Sequence, residues 1–507
     1  MKRFVNQFAD MGVALTIWAL LIFKIGYHFG TNDHVELLPY VLFLHDHTLF
    51  PHDLFIQSLH ASLPNERTVF AHLLLPFVNH LPTAIFLLHL FTTVLLLLAL
   101  HRIAKMFLRS MWLSWLAVLV SVYFLNDRAL GGVDLYTNSL QAGDVSVMII
   151  AWALYFWLRE RWVLTGVLMI IATYIHVLEG MDVMLVISAV SVLRWLVLKE
   201  YDLNRILALI GTYVALAGPY LFMIYRAKTA HASSLSSQEL FWILYVFRHP
   251  HHFIFATFPC FNKSFFLMYT AAAIWFFGTR SQPILLFVGI AAAALVLYVF
   301  AVDFMHLVFA ANFQWYKTIQ WVKFFGIVAI VGIVAQWLPA ELKRTATAPR
   351  FVAIVSGGSS LLLIMQLWFS GSMAEGFHSG REAEIAISKL ARQKSSVESV
   401  FLVPFQFTAM KYYGQRSCYV EFKAIAKNQR DIPEWYRRIQ EVYGLDYREQ
   451  AAGFQMEQQA NQNLNHLNAV QLQRLKQEGV THIICTNPAL SMGEKLDSTS
   501  NYFLYRL

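Results

Sequence analysis

The chain is short of charge. Asp, Glu, Lys and Arg make up 14% of its 507 residues, against roughly 25% in an ordinary soluble protein. That shortage excludes a soluble fold over most of the length. Cysteine is scarce too, at 3 residues. Three cysteines give no disulfide framework, and no Cys/His zinc spacing occurs. The N-terminal MKRFVNQFADMGVALTIWALLIF is basic and then apolar but lacks a small-x-small cleavage site. An uncleaved first membrane span is expected there, not a removed signal peptide.

What is abundant is apolar. Hydrophobic residues reach 57%, with 41 Phe, 22 Tyr and 14 Trp. PTAIFLLHLFTTVLLLLAL and QPILLFVGIAAAALVLYVF are each about the 20 residues that cross a bilayer. About eleven spans are expected, near 11–29, 82–100, 111–125, 145–158, 162–178, 181–198, 206–225, 264–278, 283–302, 319–338 and 350–369. The fold class predicted is an α-helical polytopic membrane protein over 1–369, followed by a small α/β domain over 370–507.

Placement of the basic residues orients it. With a cytoplasmic N-terminus, Lys2, Arg3, Arg102, Lys105, Arg109, Arg159, Arg161, Arg194, Lys199, Arg205, Arg280, Lys343, Arg344 and Arg350 fall in short inner loops, as the positive-inside rule requires. An odd span count then puts the tail on the outer face. Three outer regions are long, at 30–81, 126–144 and 226–263. Stretches such as ELLPYVLFL and HDLFIQSLH mix charge with apolar residues and are expected as helices lying in the membrane surface.

In the tail, SVFLVPF, CYVEFKAI and VTHIICT have strand character. IPEWYRRIQEVYG and LNAVQLQRLKQEG have helical character, ended by Gly444 and Gly479. Cys418 and Cys485 sit in two of the expected strands, and an outer location permits a disulfide. The tail's charge is roughly balanced, which argues against nucleic acid as a partner.

Candidate chemistry concentrates near the outer face. Asp33 follows the first span and suits a general base, or else a helix N-cap. Glu36 lies one turn on. HDHTLFPHD holds His45, His47, His52 and Asp53, all legitimate metal ligands; a packed, hydrogen-bonded loop explains them as well. YIHVLEGMD places His176 and Glu179 on one helical face, with Asp182 beyond. Lys24, Lys317, Lys323 and Arg226 are cations near the same face. They suit a phosphate, or headgroup snorkelling.

This layout resembles the GT-C class of integral-membrane glycosyltransferases, and its tail is similar to that of poorly characterised bacterial members. The residues that carry the resemblance are the uncleaved first span, Asp33 in GTNDHVE, YIHVLEGMD at an outer turn, and SVFLVPF…RSCYVEFKAI…PEWYRRIQEVYG…LKQEGVTHIIC. The strict Asp-Glu or Asp-x-Asp pair of better-known members is replaced by Asp33 and Glu36. The resemblance implies a bacterial inner-membrane enzyme with its tail in the periplasm. It implies a polyprenyl-phosphate sugar donor and an outer-face glycan, lipid or protein acceptor. Asp33 and Glu36 would be catalytic. Lys24, His176, Glu179, Asp182, Lys317, Lys323 and Arg226 would hold substrate. A divalent metal is left open as a cofactor. A lipid or glycan transporter and a non-catalytic scaffold are the alternatives.

Overall fold

The computed structural model describes residues 2–230, 232–337, 381–449, 452–490 and 492–507. Two compact units form. As far as they are described, the first comprises Met1–Tyr27, Pro82–Leu221 and His251–Gly376, and the second His28–Leu81, Phe222–Pro250 and Phe377–Leu507.

The first unit is helical. The first ten expected spans each fall on helix, and the eleventh, at 350–369, lies outside the described residues. Phe8–Ile25, Thr68–Leu108, Leu203–Thr229, Gln282–Phe304 and Tyr316–Trp337 are long and apolar enough to cross a membrane alone. Met111–Phe124, Ala142–Leu158 and Trp162–Ile175 are apolar but shorter. The helix Val177–Leu196 has the length but carries Glu179, Asp182 and Arg194. Among the described residues, five helices meet that test of length and composition.

The Tyr316–Val334 helix is buried along most of its length. A methyl group at Gly326 would lie 2.4 Å from Tyr269 Cβ and 2.6 Å from its Cα. The glycine thus lets the backbones of Tyr316–Val334 and Cys260–Phe277 approach closely, as small residues do where membrane helices pack.

The second unit is built on a five-stranded sheet ordered β2-β1-β3-β5-β4. Its strands are β1 (Val400–Leu402), β2 (Ser417–Cys418), β3 (His482–Cys485), β4 (Glu494–Ser498) and β5 (Phe503–Arg506). β1 runs parallel to both β2 and β3, with Phe401 beside Cys418 on one side and His482 on the other. β5 is antiparallel to β3. Since β1 separates β2 from β3, Cys418 and Cys485 are not neighbours. Both are free, which overturns the disulfide expectation. CYVEFKAI keeps only Cys418 in a strand. The chain then bends, with Glu421 buried rather than alternating outward.

The Ile432–Tyr443 helix buries Ile432, Trp435, Tyr436, Ile439, Val442 and Tyr443 along one stripe. Gly444 closes it at φ 61°, a left-handed position that glycine adopts without strain.

Two segments that precede the tail, 28–81 and 222–250, complete this core. The helix His34–His45, expected on the membrane surface, is buried continuously from His34 to Phe43. Its apolar residues run around the whole circumference, so it has no wet face to present. Arg381 donates to the backbone carbonyls of Phe29 and Gly30 at 3.1 and 3.2 Å. Ser58 Oγ accepts from the backbone N–H groups of Lys427 and Asn428. Leu240, Ile243 and Phe247 join Leu402, Phe422 and Trp435 in one apolar cluster. The tail alone therefore does not close its own core.

Candidate functional site

Asp33 stands at the start of the His34–His45 helix, but its side chain makes no capping hydrogen bond. It turns instead to Arg67, with Oδ2 3.7 Å from Nη1. The same guanidinium hydrogen-bonds Glu36, which also lies 2.9 Å from Lys427 Nζ. Exposure separates the two acids: 44% of the Asp33 side chain is accessible and 7% of Glu36. Burial alone would raise the Glu36 carboxyl. Arg67 and Lys427 outweigh it and hold the group down to about 2. Glu36 thus anchors two cations and does not exchange protons near neutrality. Asp33 is the acid left with an open side.

Further charges surround this pair within the second unit. Arg248 is buried, donates to the Lys423 carbonyl at 2.7 Å, and lies 4.8 Å from the Phe422 ring centroid. Arg248 and Lys423 both feel the charges of Asp33 and Glu36. Burial is the main influence on the Lys423 ammonium and pushes it down to about 8, against the opposing pull of those acids. Glu66 couples to Lys427, Arg67 and Lys228. Five cations, Arg67, Lys228, Arg248, Lys423 and Lys427, therefore face three carboxylates, Asp33, Glu36 and Glu66. Partly desolvated positive charge in excess is what an anionic ligand relieves.

Of that group, Asp33 and Glu36 are candidates from sequence as acids, and Lys228 beside Arg226 as a cation for phosphate or headgroups. Arg226 is exposed at the end of its helix, over the Phe222 ring. Lys228, two residues on, is the cation that couples to the cluster. Lys423 lies in the expected strand CYVEFKAI and Lys427 two residues beyond it, so the sequence gives no sign of their convergence.

The first unit gathers a second set. His176 caps the Val177–Leu196 helix, accepting from the Glu179 N–H at 3.3 Å. Lys317 Nζ lies 3.3 Å from His176 Nε2 and 3.7 Å from Glu179 Oε1. Gln320 Nε2 donates to Glu179 at 2.9 Å. Asp182 is fully buried one turn further, and neither of its oxygens has a hydrogen-bond partner among the described residues. Sequence spacing groups His176, Glu179 and Asp182; Lys317 is a separate candidate cation that the fold brings to them, and Gln320 has no sequence signal.

Lys24 and Lys323 are already engaged. Lys24 donates to the Tyr123 carbonyl and lies 4.3 Å from that ring's centroid. Lys323 is 1% exposed and 2.6 Å from both Asp134 oxygens. Asp134 thus neutralises Lys323, whereas exposed Lys24 keeps its charge, its partners being a neutral carbonyl and a ring. The histidine cluster does not assemble either. His45 and His47 are exposed, His52 pairs with Glu398 at 3.0 Å, and buried Asp53 caps the Leu54–Ala61 helix.

Residues 382–442 match a protein family described as a domain of unknown function, DUF6798. No curated protein matches the chain. The matched stretch carries Lys423 and Lys427, together with Lys411, Cys418 and Glu421. The acids they face, Asp33, Glu36 and Asp53, come from the segment His28–Leu81.

Proposed function

We propose that the protein is a membrane transferase of the GT-C kind that takes a sugar from a polyprenyl-phosphate donor at the outer membrane face. The carrying observation is the surplus of cations around one accessible carboxylate, Asp33, shortly after the first candidate span. A departing lipid phosphate needs fixed positive charge, and Arg248 and Lys423 supply it. Transfer to a hydroxyl needs a carboxylate in reach of its proton, and Asp33 supplies that. The acceptor is an outer-face glycan, lipid or protein.

This role has a pH signature. Lys423, held at about 8, loses its charge as pH rises through that value. Affinity for polyprenyl phosphate should therefore fall between about pH 7 and 9 in wild type and stay flat in Lys423→Met. A wild-type profile level across that range would remove Lys423 from the phosphate site.

Topology follows from the same reading, with a cytoplasmic N-terminus and the sheet-bearing unit in the periplasm. A cysteine placed at exposed Gln459, in a Cys260→Ser background, should label from outside in intact spheroplasts. Protection until lysis would put the site on the wrong face.

A transporter is the second reading. It is favoured by buried Asp182 and Glu179, with Lys317 half-buried beside Glu179 in the helical unit, since ionisable groups among membrane helices commonly mark a pathway. Proteoliposomes that move a lipid-linked sugar without consuming it would favour that reading over transfer.

A further inference from the structure

We propose that Asp53, Cys418 and Glu421 bind one divalent transition-metal ion of the zinc type. Their ligand atoms lie within 4.8 Å of one another and all three residues are buried. Zinc bonds of about 2.0–2.3 Å place neighbouring ligand atoms roughly 3.3–3.8 Å apart, so small side-chain rotations close the site. A small pocket of about 10 Å³ is lined by the three residues, with Leu54, Phe55, Tyr419, Val420, Ala424 and Trp435. That is about the room one water or one ion requires.

Two independent features point into this pocket. The first is an idle acceptor. Glu421 Oε1 has no hydrogen-bond partner among the described residues, on a side chain 5% exposed. The other oxygen of Glu421 is held by Lys411. Asp53 is oriented as metal ligands usually are, by hydrogen bonds behind it. Its Oδ1 accepts from the Ile56 N–H and its Oδ2 from the Cys418 N–H, each at 3.0 Å.

The second feature is charge. Two buried carboxylates face one ammonium, Lys411, whose Nζ lies 3.7 Å from Asp53. Binding of M²⁺ forms a sulfur–metal bond, and the Cys418 thiol proton leaves to solvent. Two carboxylates and a thiolate then balance the ion and Lys411, which stays as an outer counter-charge. A mixed sulfur and oxygen donor set suits zinc and disfavours magnesium and calcium. The site stands independently of the transferase reading.

The test uses metal-stripped, full-length protein in detergent, titrated with Co²⁺. One equivalent should bind with a thiolate-to-cobalt charge-transfer band, and Zn²⁺ should displace it. The band should vanish in Cys418→Ser and persist in Cys485→Ser, while Glu421→Gln should weaken binding about ten-fold or more. In unmodified protein, Zn²⁺ should protect Cys418 but not Cys485 from alkylation in mild denaturant, a readout that needs no variant to fold. No bound metal, a band unchanged in Cys418→Ser, or no protection of Cys418 would leave a buried lysine–carboxylate pair only and overturn the proposal.

Discussion

Asp33→Asn should lower sugar transfer by about 10²–10⁴-fold, the usual cost of losing a general base, with a much smaller change in KM for the lipid donor. Asparagine keeps the size and polarity of the side chain but not its charge or basicity. Folding should survive. Asp33 is the more distant partner of Arg67, at 3.7 Å, and Glu36 still holds that guanidinium. The split between rate and KM matters. A site that only binds donor would show the loss in KM. An unchanged rate in Asp33→Asn would remove Asp33 from the chemistry.

Arg67→Met should instead unfold the site. It strips Glu36 of one of two cations in a buried position. Breaking a buried pair from one side typically costs about 3–5 kcal/mol, and the remaining Lys427 puts the expected value near the lower end. Adding Glu36→Gln removes the stranded charge. The double variant should therefore recover a substantial part of the loss, which a double-mutant cycle on denaturant midpoints measures. The pH dependence has a defined sign. The Glu36 carboxyl is lower in the folded protein, at about 2, than its ordinary 4.5. Its contribution is present above about 4.5 and is lost as pH falls toward 2. Arg67→Met stability within 1 kcal/mol of wild type would mean that the pair does not organise the loop.

The sequence was most legible where one periodicity dominated. Apolar runs marked the helices, and the stripe Ile432, Trp435, Ile439 and Val442 marked the tail helix that carries it. Spacing along one helix also gathered His176, Glu179 and Asp182, and polarity near the span ends brought in Lys317. Legibility failed where charge was buried by distant segments. CYVEFKAI alternates like a strand, yet Glu421 turns inward because Lys411 waits there. Lys323 resembled a free phosphate ligand because Asp134, 189 positions away, is invisible locally. The His34–His45 helix looked interfacial because nothing in 30–81 says that residues beyond 380 will cover it. The Asp53 carboxylate was read toward neighbouring histidines, whereas its partners are Lys411 and the Cys418 N–H.

The central claim is that the charge surplus around Asp33 exists to hold a lipid phosphate. The most direct measurement compares binding of polyprenyl phosphate and of the matching polyprenol to full-length protein in nanodiscs, for wild type and for Arg248→Met with Lys423→Met. Wild type should prefer the phosphate by at least about ten-fold, and the double variant should lose that preference while still binding the polyprenol. Equal binding of both lipids by wild type, or a preference that survives in the double variant, would contradict the account.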